Sequence, residues 1–188
     1  MRAKTFIPNL ILTLILTSFL LTACGTSAST PPPEPASNKS EWDWFDIELT
    51  DVQTGETFTM NDYAGQVVLV ETMAIWCPNC LFQANEVIKM HKMLDNPDDV
   101  ISVSLDVDVN EDEAMLKEYT EEYGLDWHFA VSPRAVNRAL GNLYTAQYLN
   151  PPLSPMLIID RDGGVHHLEY GHKSAEKLFE SVKPYLAP

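Results

Sequence analysis

Four aliphatic residues, Val67 to Val70, lead through Glu71-Thr72-Met73-Ala74-Ile75-Trp76 into Cys77-Pro78-Asn79-Cys80. The β-branched, apolar run is of the kind that lies in the centre of a sheet. A helical pattern begins directly after it. A buried strand that delivers a CxxC to a helix N-terminus is a device for making a reactive thiolate. The first cysteine sits over unpaired backbone N–H groups and the positive end of the helix dipole, and both favour S⁻ over SH. Such placement lowers a thiol pKa from about 8.5 to between about 3.5 and 7.5. Cys77 is therefore the candidate nucleophile. Cys80, one turn on and less exposed, is the candidate resolving thiol. Pro78 fits the first helical position, where its missing N–H would have had no partner.

The chain holds three cysteines, and the third is Cys24. It follows a short basic region (Arg2, Lys4) and an apolar run, Leu10 to Leu21, too short for a confident membrane span. Leu21-Thr22-Ala23-Cys24 resembles a bacterial lipobox, which implies cleavage before Cys24 and lipidation of that residue. Residues 1–23 thus read as a lipoprotein signal. Residues 24–41, rich in Ser, Thr and Pro, read as a tether that cannot bury a core. Residues 42–188 read as one domain. With Cys24 lipidated, the vicinal pair stands alone, and an exported domain with one such pair is redox-active rather than stapled. Zinc would need two further ligands, and neither a second CxxC nor HxxxH is present. No metal and no cofactor is expected.

The net charge is −15, and the leader's only charges are basic, so the remainder is more acidic still. Such a surface argues against nucleic acid and against broad adhesion to anionic lipid.

A coarse reading gives a hairpin from Trp44–Leu49 and Glu56–Phe58, a strand at Val67–Met73 and a helix at Pro78–Leu94, its apolar face made by Leu81, Phe82, Val87, Ile88 and Met90. A strand follows at Val100–Asp106, then a helix at Glu111–Tyr123 capped by Asn110 and ended by Gly124. Next come a strand at Trp127–Val131, a helix opened by Ser132-Pro133 and a hairpin of Met156–Asp160 with Gly164–Glu169. The last element is a helix at Ser174–Tyr185. This order requires an α/β fold with a mixed sheet and helices on both faces. Glu71 interrupts the core strand, and burial there would raise its pKa. His166 and His167 are neighbours on a strand, so at most one can face any given site.

The strand–WCPNC–helix, with Ser154-Pro155 placed before a later strand, resembles the thioredoxin superfamily. Gly65 to Thr72 and the lipobox resemble its membrane-anchored TlpA/ResA-like branch. The resemblance implies a thioredoxin-like sheet with an N-terminal hairpin, and thiol–disulfide exchange with protein partners at the extracytoplasmic face of a membrane. It implies a cis-proline at Pro155 facing the CxxC, Ser154 pairing with substrate backbone, Trp76 packed over the disulfide, and Glu71 as a buried acid serving Cys80. Members of that branch commonly supply reductant to cytochrome c maturation or copper-site assembly. A Sco-type copper chaperone shares the fold and the Asp160–Gly163 turn, but uses CxxxC with a distant histidine. A thiol peroxidase would want threonine where Ala74 stands.

Overall fold

The computed structural model describes residues 43–186; the expected leader, Cys24 and the tether lie outside the described residues. The central run forms as the sequence predicts. Strand β3 (Val67–Met73) has every residue buried. It runs parallel to β4 (Val100–Asp106), which runs parallel to β5 (His128–Val131). On its other side β3 pairs antiparallel with β6 (Met156–Ile159), which pairs antiparallel with β7 (Val165–His167). Among the described residues these five strands make one mixed sheet, ordered β5-β4-β3-β6-β7. A separate two-stranded hairpin, β1 (Leu49–Thr50) with β2 (Thr57–Phe58), precedes it.

Alternation along β3 sorts the core into two layers. Val67, Leu69 and Met73 face α1 (Pro78–His91), α2 (Glu113–Tyr123) and α4 (Ala175–Val182), with Val87, Met90, Leu116 and Leu178 packed against them. Val68 and Val70 face α3 (Arg134–Leu143) together with Trp44, Phe45, Val136 and Leu140. Each fully buried aliphatic chain contributes about 1.5–3 kcal/mol, so both faces of β3 stabilise the sheet at its centre. By the same alternation Glu71 lies on the α1 side.

Several expected boundaries move. Trp44 and Phe45 belong to a 3-10 turn, Asp43–Asp46, and are buried in the same cluster as Val136 and Leu140 of α3. Helix α1 ends at His91, not Leu94. Its buried face is Cys80, Gln83, Ala84, Val87 and Met90, while Phe82 is exposed. The face is set by Cys80, which is fixed inward, and not by the most apolar residues. Helix α2 starts two residues later than predicted. Asp112, not Asn110, is the cap, its carboxylate accepting the Met115 N–H at 2.9 Å, while Asn110 bonds to Asp108. Asp112→Ala is expected to cost about 1 kcal/mol, readable as a lowered urea midpoint with an unchanged slope. Gly124 ends α2 at φ 63°, the left-handed conformation that glycine adopts freely.

Candidate active site

Strand β3 ends at Met73, and the chain turns through Ala74–Trp76 into α1. Cys77 is the N-cap, Pro78 holds the first helical position, and Cys80 lies in the first turn. The two cysteines form a disulfide. Cys77 Sγ accepts the Cys80 backbone N–H at 3.3 Å. One expectation fails here. Cys77 is 1 % exposed and Cys80 2 %, so solvent access does not distinguish them. Their electrostatics do, because Cys77 Sγ faces a donor and the Pro151 carbonyl oxygen lies 3.5 Å from Cys80 Sγ.

The segment before the pair is held from the β4 side. The Ile75 N–H donates to the Glu111 carboxylate at 2.8 Å, and the Trp76 indole N–H donates to Asp108 at 2.6 Å. Trp76 is exposed, its ring outside the core. Asp106 is fully buried and one of its oxygens has no partner among the described residues. Burial, with Glu111 beside it, pushes its carboxyl well above the ordinary carboxylate range and favours the protonated form.

The segment opposite the pair is Pro151–Pro155. The Asn79 side-chain amide donates to the Pro152 carbonyl at 3.0 Å, tying the CPNC turn to it. Pro155 is buried, and its carbonyl accepts the Thr72 N–H at 3.2 Å, extending the β3–β6 pairing. Ser154 is buried in a left-handed conformation at φ 45°. That costs a non-glycine residue on the order of 1–3 kcal/mol. Its N–H donates to the Pro151 carbonyl at 2.8 Å and its carbonyl accepts from Lys173 Nζ at 2.7 Å. Both of its backbone groups thus have a partner within the chain, and the carbonyl oxygen keeps a second lone pair.

Glu71 is buried with Oε2 unpartnered among the described residues. Desolvation pushes its carboxyl up to about 8, against the opposing pull of the Lys173 ammonium. Lys173 is itself fully buried, and desolvation brings its amine down to about 8 while Glu71 acts to raise it. The Lys173 ammonium donates to the carbonyls of Ser154 and Gly171. An ammonium has three N–H groups, so one remains beyond those two bonds. The Tyr119 phenol, also buried and unpartnered, is pushed up by burial and by the negative charge of Glu71. Glu71, Lys173, Ser154 and Tyr119 therefore form one buried polar group, with Asp106 and Glu111 toward β4.

Sequence reasoning singled out the cysteines, Glu71 and the Pro155 segment. It missed Lys173, which stands in a polar stretch that reads as surface. It also missed Gln83, whose amide exchanges two buried hydrogen bonds with the Lys173 backbone; a polar residue one turn after Cys80, on the inward face, was the available signal. The two histidines lie apart from the site. His166 pairs with Asp160 and stacks on Tyr185, while His167 lies 2.7 Å from the Tyr148 hydroxyl. The Asp160–Gly163 turn is a hairpin device: the Asp160 carboxylate accepts the N–H groups of Asp162 and Gly164. Gly164 is required there, since a Cβ would sit 2.5 Å from that carboxylate. Among the described residues no group of three or more His, Cys, Asp or Glu is placed to hold a metal ion.

The Redoxin family matches over residues 36–184, most of the chain. This chain is a Redoxin-family protein. Among solved structures, the redoxin resembles a secreted Mycobacterium tuberculosis disulfide oxidoreductase described as homologous to E. coli DsbE (17 % identity, 79 % of this chain and 99 % of that one, TM-score 0.56). It also resembles a thiol:disulfide interchange protein from Chlorobium tepidum TLS (18 %, 75 % and 93 %, TM-score 0.58) and a thiol-disulfide isomerase from Corynebacterium glutamicum (22 %, 76 % and 96 %, TM-score 0.58). At these identities the likeness establishes a thioredoxin-like fold for the redoxin. No curated protein matches its sequence.

Proposed function

We propose that the chain is an exported, lipid-anchored thiol–disulfide oxidoreductase of the TlpA/ResA-like branch, exchanging disulfides with protein partners through Cys77 and Cys80. The observation that carries the reading is the Cys77–Cys80 disulfide at the N-terminus of α1 in a Redoxin-family fold. Export and anchoring rest on the lipobox at Cys24, and cytochrome c maturation or copper-site assembly on the resemblance.

In the reduced chain the Cys77 thiolate attacks a partner disulfide. The partner S–S bond breaks, one partner sulfur leaves as thiolate and takes a proton, and the other is joined to Cys77. Cys80 then gives up its proton, with Glu71 as the base, and attacks Cys77 Sγ. The mixed disulfide breaks, the second partner thiolate leaves, and Cys77–Cys80 closes. The partner gains two electrons and two protons. The reverse sequence oxidises a partner dithiol. Such a base works best when its pKa lies near the operating pH, and Glu71 at about 8 meets that condition.

The reduced chain, mixed with a disulfide-bonded protein, is expected to reduce it faster than an equal concentration of free dithiol does. Equal rates would overturn the reading. In cells, Cys24→Ser is expected to leave the membrane fraction, and retention there would remove the lipid anchor from the proposal.

A further inference from the structure

Beside the disulfide is an open cleft of about 230 Å³ lined by Trp76, Val107, Asp108, Val109, Leu149 and Pro151. Two of its lining residues connect it to the pair: Trp76 directly precedes Cys77 in the chain, and the Pro151 carbonyl oxygen lies 3.5 Å from Cys80 Sγ. Three apolar side chains of its wall stand in solvent, Val109 at 72 %, Trp76 at 56 % and Leu149 at 39 % exposed. Single exposed apolar residues are ordinary, but a contiguous group marks an interaction site. The cleft is smaller than the roughly 300–1,000 Å³ of small-molecule pockets. Its size suits one side chain of a docked segment.

The polar part of this cleft is negative. Asp108 lines it, and the N–H of Asn110 with the Trp76 indole holds its carboxyl below the ordinary value, so it is ionised at neutral pH. From Val107 to Leu116 the chain reads VDVNEDEAML, with four acids and no base; the buried Asp106 before it adds no charge to this surface. Asp112 and Glu113 of this stretch are exposed. The other flank of the CPNC turn differs: the cleft there is lined by Asn79, Phe82, Asn85, Glu86, Lys89 and His172. Charge therefore distinguishes the two approaches to the disulfide.

We propose that the Trp76–Val109–Leu149 cleft receives a large apolar side chain neighbouring the partner's reacting cysteine, and that the same partner segment carries lysine or arginine opposite Asp108. This rests on the exchange reaction proposed above and names its substrate class: an apolar, basic cysteine segment. An acidic surface in this place repels acidic segments and speeds the encounter with basic ones.

The test uses the full reduced chain and four peptides of equal length, each with one disulfide. They carry Leu or Ser beside the reacting cysteine, and Lys or Glu one position further. The neutral small molecule 2-hydroxyethyl disulfide reports exchange without a peptide. The Leu/Lys peptide is expected to be reduced at least about tenfold faster than the Ser/Glu peptide, since covering one large apolar side chain contributes about 1.5–3 kcal/mol. The advantage of Lys should shrink as salt rises from about 0.05 to 0.5 M. In Val109→Ser/Leu149→Ser, both exposed positions, the ratio of Leu to Ser peptide rates should fall toward one. Equal rates for all four peptides, with 2-hydroxyethyl disulfide still reduced, would overturn the inference alone. Failure to reduce 2-hydroxyethyl disulfide would overturn the exchange reading and this inference with it.

Discussion

Cys80→Ala is expected to accumulate mixed disulfides with partner proteins, and Cys77→Ala to lose exchange altogether. Exposure does not decide which sulfur attacks, because both are buried almost completely. What decides is the ground on which each would be charged. Cys77 Sγ stands at the start of α1, accepting the Cys80 N–H, where the helix end stabilises an anion. Cys80 Sγ stands against the Pro151 carbonyl, an acceptor that suits S–H and disfavours S⁻. Opening the disulfide therefore leaves the charge on Cys77. Without Cys80, Cys77 attacks and stays bonded, since nothing intramolecular can release the partner. Without Cys77, the remaining thiol holds its proton and reacts slowly. Non-reducing electrophoresis of cell extracts reads the difference, and trapped partners with Cys77→Ala instead would exchange the two roles.

Glu71→Gln should slow exchange by about 100-fold near neutral pH, the lower end of what a positioned acid or base contributes, while making the fold more stable. The second effect follows from the sign of the shift. The Glu71 carboxyl rises from 4.5 to about 8 in the native chain. Between those values the native state keeps a proton that the unfolded chain releases. Stability therefore falls as pH rises through that window, by roughly 5 kcal/mol in all, and Glu71→Gln removes the fall. Lys173 works the other way. Its amine drops from 10.5 to about 8, so across that window the unfolded chain holds a proton the native chain has lost, and stability rises with pH. The pair should thus give the wild-type chain a stability minimum near pH 8. Lys173→Met should remove the alkaline rise and push Glu71 higher still, moving the pH–rate profile of exchange to more alkaline pH. Melting temperatures between about pH 5 and 10, beside exchange rates for both variants, check this. Parallel stability profiles for Glu71→Gln and wild type would mean that Glu71 does not titrate in the fold, and equal rates at every pH would leave it no part in catalysis.

Some of this architecture was readable because local pattern and tertiary role agree. The run Val67–Val70 is aliphatic because it is covered on both faces, and an acid at position 71 stands out against it for the same reason. The CxxC announces itself because proline and cysteine at a helix start have few other uses. Lys173 was not readable. Its neighbours are polar, and only the fold brings Ser154 and Glu71 to it. Asp106 was hidden likewise, since a carboxyl at the end of a strand reads as the start of a loop until Glu111 packs beside it. The inward face of α1 was misjudged because apolar content was counted, although Cys80 fixes the helix rotation and carries Gln83 inside with it. The start of α2 moved because Glu111 is already bonded to the Ile75 N–H, leaving Asp112 to close the helix.

The exchange of two hydrogen bonds between the Gln83 amide and the Lys173 backbone spans 90 residues. It bears on time as well as on place. A contact so distant in sequence forms late, because the loop it closes must be ordered first. During synthesis the two cysteines emerge well before Lys173 does, and domains fold in that order. In the interval the thiols exist without the buried Lys173 cation, without the support that holds Ser154 in its left-handed turn, and without the clasp that joins α1 to the segment before α4. The same bonds that finish the domain thus finish its chemistry, so a half-emerged chain carries cysteines but not yet a tuned redox centre.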